Sequence, residues 1–225
     1  HGTNRRQRQM CIRDRISPDS EMTSLIGQLR APYETECNRV IGKAGSLLYR
    51  RGNFNGSWDD VICDAIREER DVEIALSPGF RWGTTLLPDQ PITIDDMYSQ
   101  TAMNYPAVYR TEMTGEQLKI MLEEVCDNLF NPNPFYQQGG DMVRVGGLSY
   151  ECAPKEVIGN RIQNMVFTPT GAPIEANKSY VVGGWASVNP DTEGPAIYDL
   201  LENYIQRKNL IIPSSAGAVT VKGMS

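Results

Sequence analysis

Helices and short strands follow one another here without the regular ~30-residue βαβ period, which predicts an α+β (mixed α/β) domain. Two amphipathic stretches with helix-start signals, and several short apolar runs closed by glycine or proline, carry that expectation. Residues 17–41 read as a helix, with Met22, Leu25, Ile26, Leu29 and Tyr33 at three- and four-residue steps. Pro32 either kinks it or divides it into two.

Ser46–Tyr49 is a short extended run, and Arg50 to Gly56 reads as a loop. Ser57 is a suitable N-cap for a second helix. Asp59 and Asp60 lie in its first turn, and Trp58, Val61, Ile62, Ala65 and Ile66 form its apolar face. Val72–Leu76 reads as a buried strand ended by Ser77-Pro78-Gly79. Ile92–Met97 is a strand feeding a turn of helix, and Ala107–Glu112 alternates like a strand. Thr114 with Gln117 fits a capping box for a helix carrying Leu118, Ile120, Met121, Val125 and Leu129. Asn131-Pro132-Asn133-Pro134 forces irregular backbone. Strands are expected at Ser149–Cys152, Ile162–Phe167 and Tyr180–Val182. A helix over Gly194–Ile205 and a strand and tail over Leu210–Val221 complete the chain.

The 225 residues are 40% hydrophobic and 22% charged, which is ordinary for a globular protein. No apolar run approaches the ~20 residues that span a membrane. Residues 1–15 hold five Arg and one Asp, leaving 17 basic and 27 acidic groups in the rest, a net of −10. A body so acidic repels a phosphate backbone and argues against general nucleic-acid binding. The opening string has neither helical nor strand periodicity and resembles translated read-through, so residues 1–16 are set aside as a non-native or disordered tail. The five cysteines stand singly, without the paired spacing of a zinc knuckle.

Three loops carry the candidate chemistry. Ala75 to Gly83 takes a strand into a glycine-bounded turn presenting Arg81 and Trp82, a guanidinium fork suited to an oxyanion beside an indole. Phe135 to Gly147 gathers Tyr136, Gln138, Gly139, Gly140 and Arg144, and fits neither a dinucleotide fingerprint nor a Walker A loop. Gly183 to Pro190 places Trp185 just after a strand. Each loop also has a plainer reading: a surface ion pair for Arg81, a glycine-rich hairpin for the second, a core-covering indole for the third. Their common position near strand ends points to a shared pocket.

The only histidine is His1. No HExxH, DxDxDG or GxSxG pattern occurs, so a metal centre or a Ser/Cys nucleophile with a histidine base is not expected within these residues.

Four segments resemble the C-terminal domain of the 5'-nucleotidase family, and among its branches the SoxB-type thiosulfohydrolases of sulfur oxidation. RRGNFNGSWDDVICDAI (50–66) is similar to the family's helix-opening segment, and DVEIALSPGFRWG (71–83) stands where nucleotidases carry an Asn-Gly-Gly-Ile-Arg-like turn. ITIDDMYSQTAMNYPAVYRTEMTGEQLKIMLEEV (92–125) resembles the family's strand, turn and following helix, and NPFYQQGGDMVRVGGLSY (133–150) replaces a segment ending in Ser-Gly-Leu-Arg-Tyr.

The resemblance implies a linker helix over 17–41 and a substrate-binding domain over 42–225. A metallophosphoesterase domain holding two Mn²⁺ ions would lie outside this sequence, and these residues would bind none themselves. It implies that Arg81 contacts the anionic group, with Trp82, Arg144, Gln138, Gly139, Gly140, Tyr136 and Trp185 as further substrate contacts. The implied partner is a sulfur-carrier protein with a C-terminal cysteine arm, in the periplasm, whose cysteine-bound S-thiosulfonate is hydrolysed to release sulfate. Gly183-Gly184-Trp185 and Asn189 to Pro195 depart from the nucleotidase pattern and put base stacking in doubt. A nucleotidase domain and a non-enzymatic binding module stay open as alternatives.

Overall fold

The computed structural model describes residues 17–50, 52–80, 83–214 and 218–223. The set-aside tail, Arg81 and Trp82 lie outside the described residues. The chain forms two compact units that meet in sequence at Arg39 and Val40.

In the first unit, helix α1 spans Ser20–Arg30 and a single turn, α2, spans Glu34–Cys37. The helix expected over 17–41 is therefore two helices, divided around Pro32, and Val40 and Ile41 belong to a strand. Asp19 caps α1 by accepting from the Met22 amide at 2.8 Å. The periodic apolar positions Met22, Leu25, Ile26 and Leu29 are all exposed.

In the second unit the elements run β1 (Val40–Ala44), α3 (Ser57–Arg70), β2 (Ile74–Ser77), β3 (Pro91–Thr93), α4 (Ile94–Thr101), β4 (Tyr109–Thr114) and α5 (Gly115–Phe130). They continue as β5 (Arg144–Gly146), β6 (Leu148–Cys152), β7 (Ile162–Phe167), β8 (Ala172–Pro173), β9 (Ser179–Gly184), α6 (Ile197–Lys208), β10 (Leu210–Ile211) and β11 (Val219–Val221). Both α4 and α5 begin with complete capping boxes, Thr93 with Asp96 and Thr114 with Gln117. Ser57 is not the N-cap of α3: Gly56 holds that position. The Ser57 hydroxyl instead accepts from the Tyr49 amide and donates to the Leu47 carbonyl. That exchange ties the preceding loop to the helix start.

The central sheet has the order β4-β9-β2-β5, with β9 parallel to β2 and both β4 and β5 antiparallel to their neighbours. Strand β2 is buried along its whole length, as an inner strand with both faces covered must be. Ala75 joins a core with Trp58, Ile62 and Ile66 of α3 and Leu201 and Ile205 of α6. Ile74 and Leu76 join another with Leu118 and Leu122 of α5 and Leu148 and Tyr150 of β6. The two-residue period of β2 thus sends successive side chains into different cores. Each fully buried aliphatic chain contributes about 1.5–3 kcal/mol. A sheet ordered β10-β1-β3 lies with the first core, and one ordered β11-β6-β7-β8 with the second.

Glycine at 183 lets α3 approach the sheet, because a Cβ there would meet Ile66 Cγ2 at 2.9 Å.

Candidate functional site

Strand directions decide where the loops meet. The register places Leu76 opposite Gly184 and Ser77 opposite Arg144. Parallel β2 and β9 therefore end at the same edge of the sheet at which antiparallel β5 begins. Segments 78–80, 141–143 and 185–190 consequently converge there. A Cβ on Gly79 would lie 2.4 Å from the Met142 carbonyl oxygen, so the first two loops are in direct contact and only glycine fits between them.

Trp185 is buried, and its Nε1 donates to the Ser77 hydroxyl at 2.9 Å. Phe80 stands edge-on to it, with ring centroids 6.1 Å apart. Beneath them Arg50 is wholly buried. It donates to Asp59 Oδ1 at 2.8 Å, to the Gln100 carbonyl at 2.6 Å and to the Pro78 carbonyl at 3.0 Å. Its guanidinium carbon also lies 5.2 Å from the centre of the Phe80 ring.

Arg144 approaches the same carboxylate from the other side, Nε to Oδ2 at 3.2 Å, and its Nη2 donates to the Gly52 carbonyl. Arg50, Asp59 and Arg144 thus form a buried ionic triad that fastens Pro78 and Gly52 to the end of the sheet. Burial pushes the Asp59 carboxyl up, and the two guanidinium groups pull it back.

Beside this edge lies a cleft of 1030 Å³, walled by Ser77 and Pro78, by Tyr109, Arg110 and Met113 of β4, and by Met121 and Val125 of α5. Val143, Trp185, Val188, Asn189, Asp191 and Glu193 complete its rim. The sheet brings Trp185 and the segments carrying Phe80 and Arg144 together. Trp185 faces the cleft, whereas Arg144 is buried on the triad. Tyr136, Gln138, Gly139 and Gly140 are exposed on a loop pinned to α5 by Gln138 and Gly139 amides donating to the Asn128 carbonyl, and are not among the cleft-lining residues. The second loop also holds β5, which with β6 makes consecutive strands in different sheets. Sequence reasoning missed Arg50, Asp59 and Tyr109. The available signal was that α3 has apolar residues at 58, 61, 62, 65 and 66, so a carboxylate at 59 falls where burial is nearly complete and needs a cationic partner.

A separate 390 Å³ cavity is lined by Asp60, Cys63, Asp64, Arg67 and Ser214 among others. Burial, reinforced by Asp59 and Asp64, pushes Asp60 from 3.8 up to about 7. A carboxyl raised in the folded state binds more protons folded than unfolded, so it costs stability as pH rises from about 4 to 7. Asp60→Asn is therefore expected to stabilise the protein by about 1–3 kcal/mol at pH 8, after discount for solvent screening, and by little at pH 4. Urea unfolding at both pH values reads this directly. An equal effect at the two pH values would rule out the titration.

Among the described residues, no group of three or more His, Cys, Asp or Glu side chains is placed to hold a metal ion. No described helix is long and apolar enough to cross a membrane.

Fold and cleft define a mixed α/β domain with a cleft beside converging strand-end segments. The chain belongs to the family "5'-nucleotidase, C-terminal domain", whose model matches residues 41–206. Its structure is similar to sulfate thiohydrolase SoxB of Thermus thermophilus, described in complex with glycerol, at a TM-score of 0.85 and 30% identity, over 94% of this chain and 40% of that one. It also resembles a 5'-nucleotidase precursor from Thermus thermophilus, with a TM-score of 0.73, 16% identity, and 93% and 45% of the two chains covered. For the Haemophilus influenzae NAD nucleotidase NadN the values are 0.67, 17%, 92% and 42%. The latter two likenesses speak for the fold alone. The chain spans less than half the length of each of these three proteins. No curated protein sequence matches it significantly.

Proposed function

We propose that this domain recognises the substrate of a thiosulfohydrolase that removes sulfate from an S-thiosulfonate carried on the cysteine of a partner protein's C-terminal arm. The observation that carries the reading is the meeting of segments 78–80, 141–143 and 185–190 beside a cleft, in a chain 30% identical to a SoxB over nearly its whole length. In this reading residues 17–39 link the domain to a metallophosphoesterase domain, which supplies two Mn²⁺ ions and the activated water in the periplasm. The part of these residues in this reading is to bind and orient the substrate. Arg81 holds the terminal sulfonate oxygens through charge-assisted hydrogen bonds. Arg144 positions loop 141–143 from below, and through Asp59 it shares that task with Arg50. Tyr136, Gln138, Gly139 and Gly140 offer an exposed surface to the body of the carrier, and Trp82 flanks the anion.

The cleft favours an extended peptide over a nucleobase. Stacking of a base between two rings is worth about 1–3 kcal/mol per face. Of the rings in the cleft, Trp185 is buried and tied to Ser77, and the Tyr109 hydroxyl is packed on Gly184. The segment 186–197 brings Val188, Asn189, Asp191 and Glu193 instead of an aromatic ring.

Competition against turnover of the carrier substrate by the full-length enzyme tests this. A short peptide bearing cysteine S-thiosulfonate should inhibit at least 10-fold more tightly than AMP or adenosine. Micromolar inhibition by adenosine without preference for the peptide would favour a nucleotidase.

A further inference from the structure

The sulfur atoms of Cys126 and Cys152 lie 3.5 Å apart, with both side chains fully buried between α5 and β6. We infer that this pair is a site of covalent cross-linking, closing to a disulfide that staples α5 to β6. The inference does not rest on the proposed function.

A disulfide needs sulfurs at about 2.05 Å, so closure asks for roughly 1.5 Å of approach, within reach of small side-chain rotations. The surroundings already hold the partners in place. On α5, Glu123 accepts from the amides of Gly159 and Ile162 at 2.8 and 2.7 Å. Asp127, next to Cys126, pairs with Arg161 at 2.5 Å. Cys152 is paired in the sheet with Ile162 on one side and Val221 on the other. Glu123 and Asp127 thus grip the same 159–162 segment that pairs with Cys152, so helix and strand share anchors on both sides of the sulfurs. Cys63 and Cys37 are also free, but no sulfur–sulfur contact involves them among the described residues.

The exchange needs a disulfide oxidant, RSSR, such as oxidised glutathione or a protein disulfide. The thiolate of one cysteine attacks a sulfur of RSSR, forming a mixed disulfide and releasing RS⁻. The other cysteine, deprotonated, then attacks the protein sulfur of that mixed disulfide and releases the second RS⁻. Two protons leave the cysteines and two electrons reduce RSSR to two RSH. The consequence reaches the cleft, because α5 also presents Met121 and Val125 to it. A bond at Cys126 fixes the helix that forms that wall.

The test is to incubate the full chain with oxidised glutathione, both folded and during refolding from urea. The products are then unfolded, alkylated and digested for peptide mass spectrometry. The expected product is a peptide pair joined through Cys126 and Cys152, two mass units lighter than the dithiol. The melting temperature should be about 5–15 °C higher than that of the reduced protein, as for closure of a loop of this length in a domain of this size. In Cys152→Ala, oxidation should no longer shift the melting temperature. Should that variant not fold, the peptide map of the parent decides alone. Free alkylated Cys126 and Cys152 after both treatments, or their joining to other cysteines instead, would overturn the assignment.

Discussion

Asp59→Ala is expected to lower the unfolding free energy by about 3–5 kcal/mol, the usual result of breaking a buried ion pair from one side. Arg50 and Arg144 are 1% and 2% exposed, and Asp59 is the carboxylate between them. Without it, two guanidinium groups stay in an apolar setting with backbone carbonyls, the Phe80 ring beside Arg50, and Asp141 at 3.7 Å from Arg144 as partners. Asp59→Asn keeps a hydrogen-bond acceptor and should lose less. Replacing all three by apolar residues of similar volume should restore much of the stability, because neither charge is then left uncompensated. That triple variant should still release segment 78–80, since Arg50 is what binds the Pro78 carbonyl. Amide hydrogen exchange at 79 and 80 would report the release. Urea unfolding of the single variant within 1 kcal/mol of the parent would show that the triad does not hold this end of the domain.

Features set by local chemistry were legible in the sequence. The capping box Thr114/Gln117 and the apolar steps after it mark α5, and the unbroken apolar run before Ser77-Pro78-Gly79 marks β2, to within two residues of their observed starts. Both signals act over a few neighbouring residues. β1 was hidden because Val40 and Ile41 continue the apolar spacing of the helices before them, and what makes Val40–Ala44 a strand is pairing with β3 and β10, far along the chain. β5 was hidden among glycines, since three residues carry too little periodicity and its position comes from β2.

The candidate site divides in the same way. That the loops sit near strand ends could be read from the apolar runs, whereas that they share one edge depends on strand direction, which nothing local encodes. In the sequence Arg144 reads as a substrate-contacting loop residue and Asp59 as a charge favouring a helix start. Their burial follows from packing between α3 and the sheet, where each becomes tolerable only through the other.

Arg81→Ala in the full-length enzyme is expected to cut kcat/KM by about 10- to 150-fold. A charge-assisted hydrogen bond to an anionic oxygen contributes about 1.5–3 kcal/mol, and each 1.36 kcal/mol is a factor of ten. Arg81 follows Phe80, whose segment is held by Arg50 at the Pro78 carbonyl and by the contact with Trp185, and it precedes Gly83. If the contact strengthens as charge develops on the sulfonate oxygens, kcat carries the loss. If it serves binding alone, KM carries it. Arg81→Lys should recover part of the rate, because an ammonium supplies the charge without the planar fork. Unfolding should be unchanged in both variants, in contrast to Asp59→Ala. Kinetics of Arg81→Ala equal to those of the parent would return Arg81 to the role of a surface ion-pair partner and leave anion recognition to other residues at this edge.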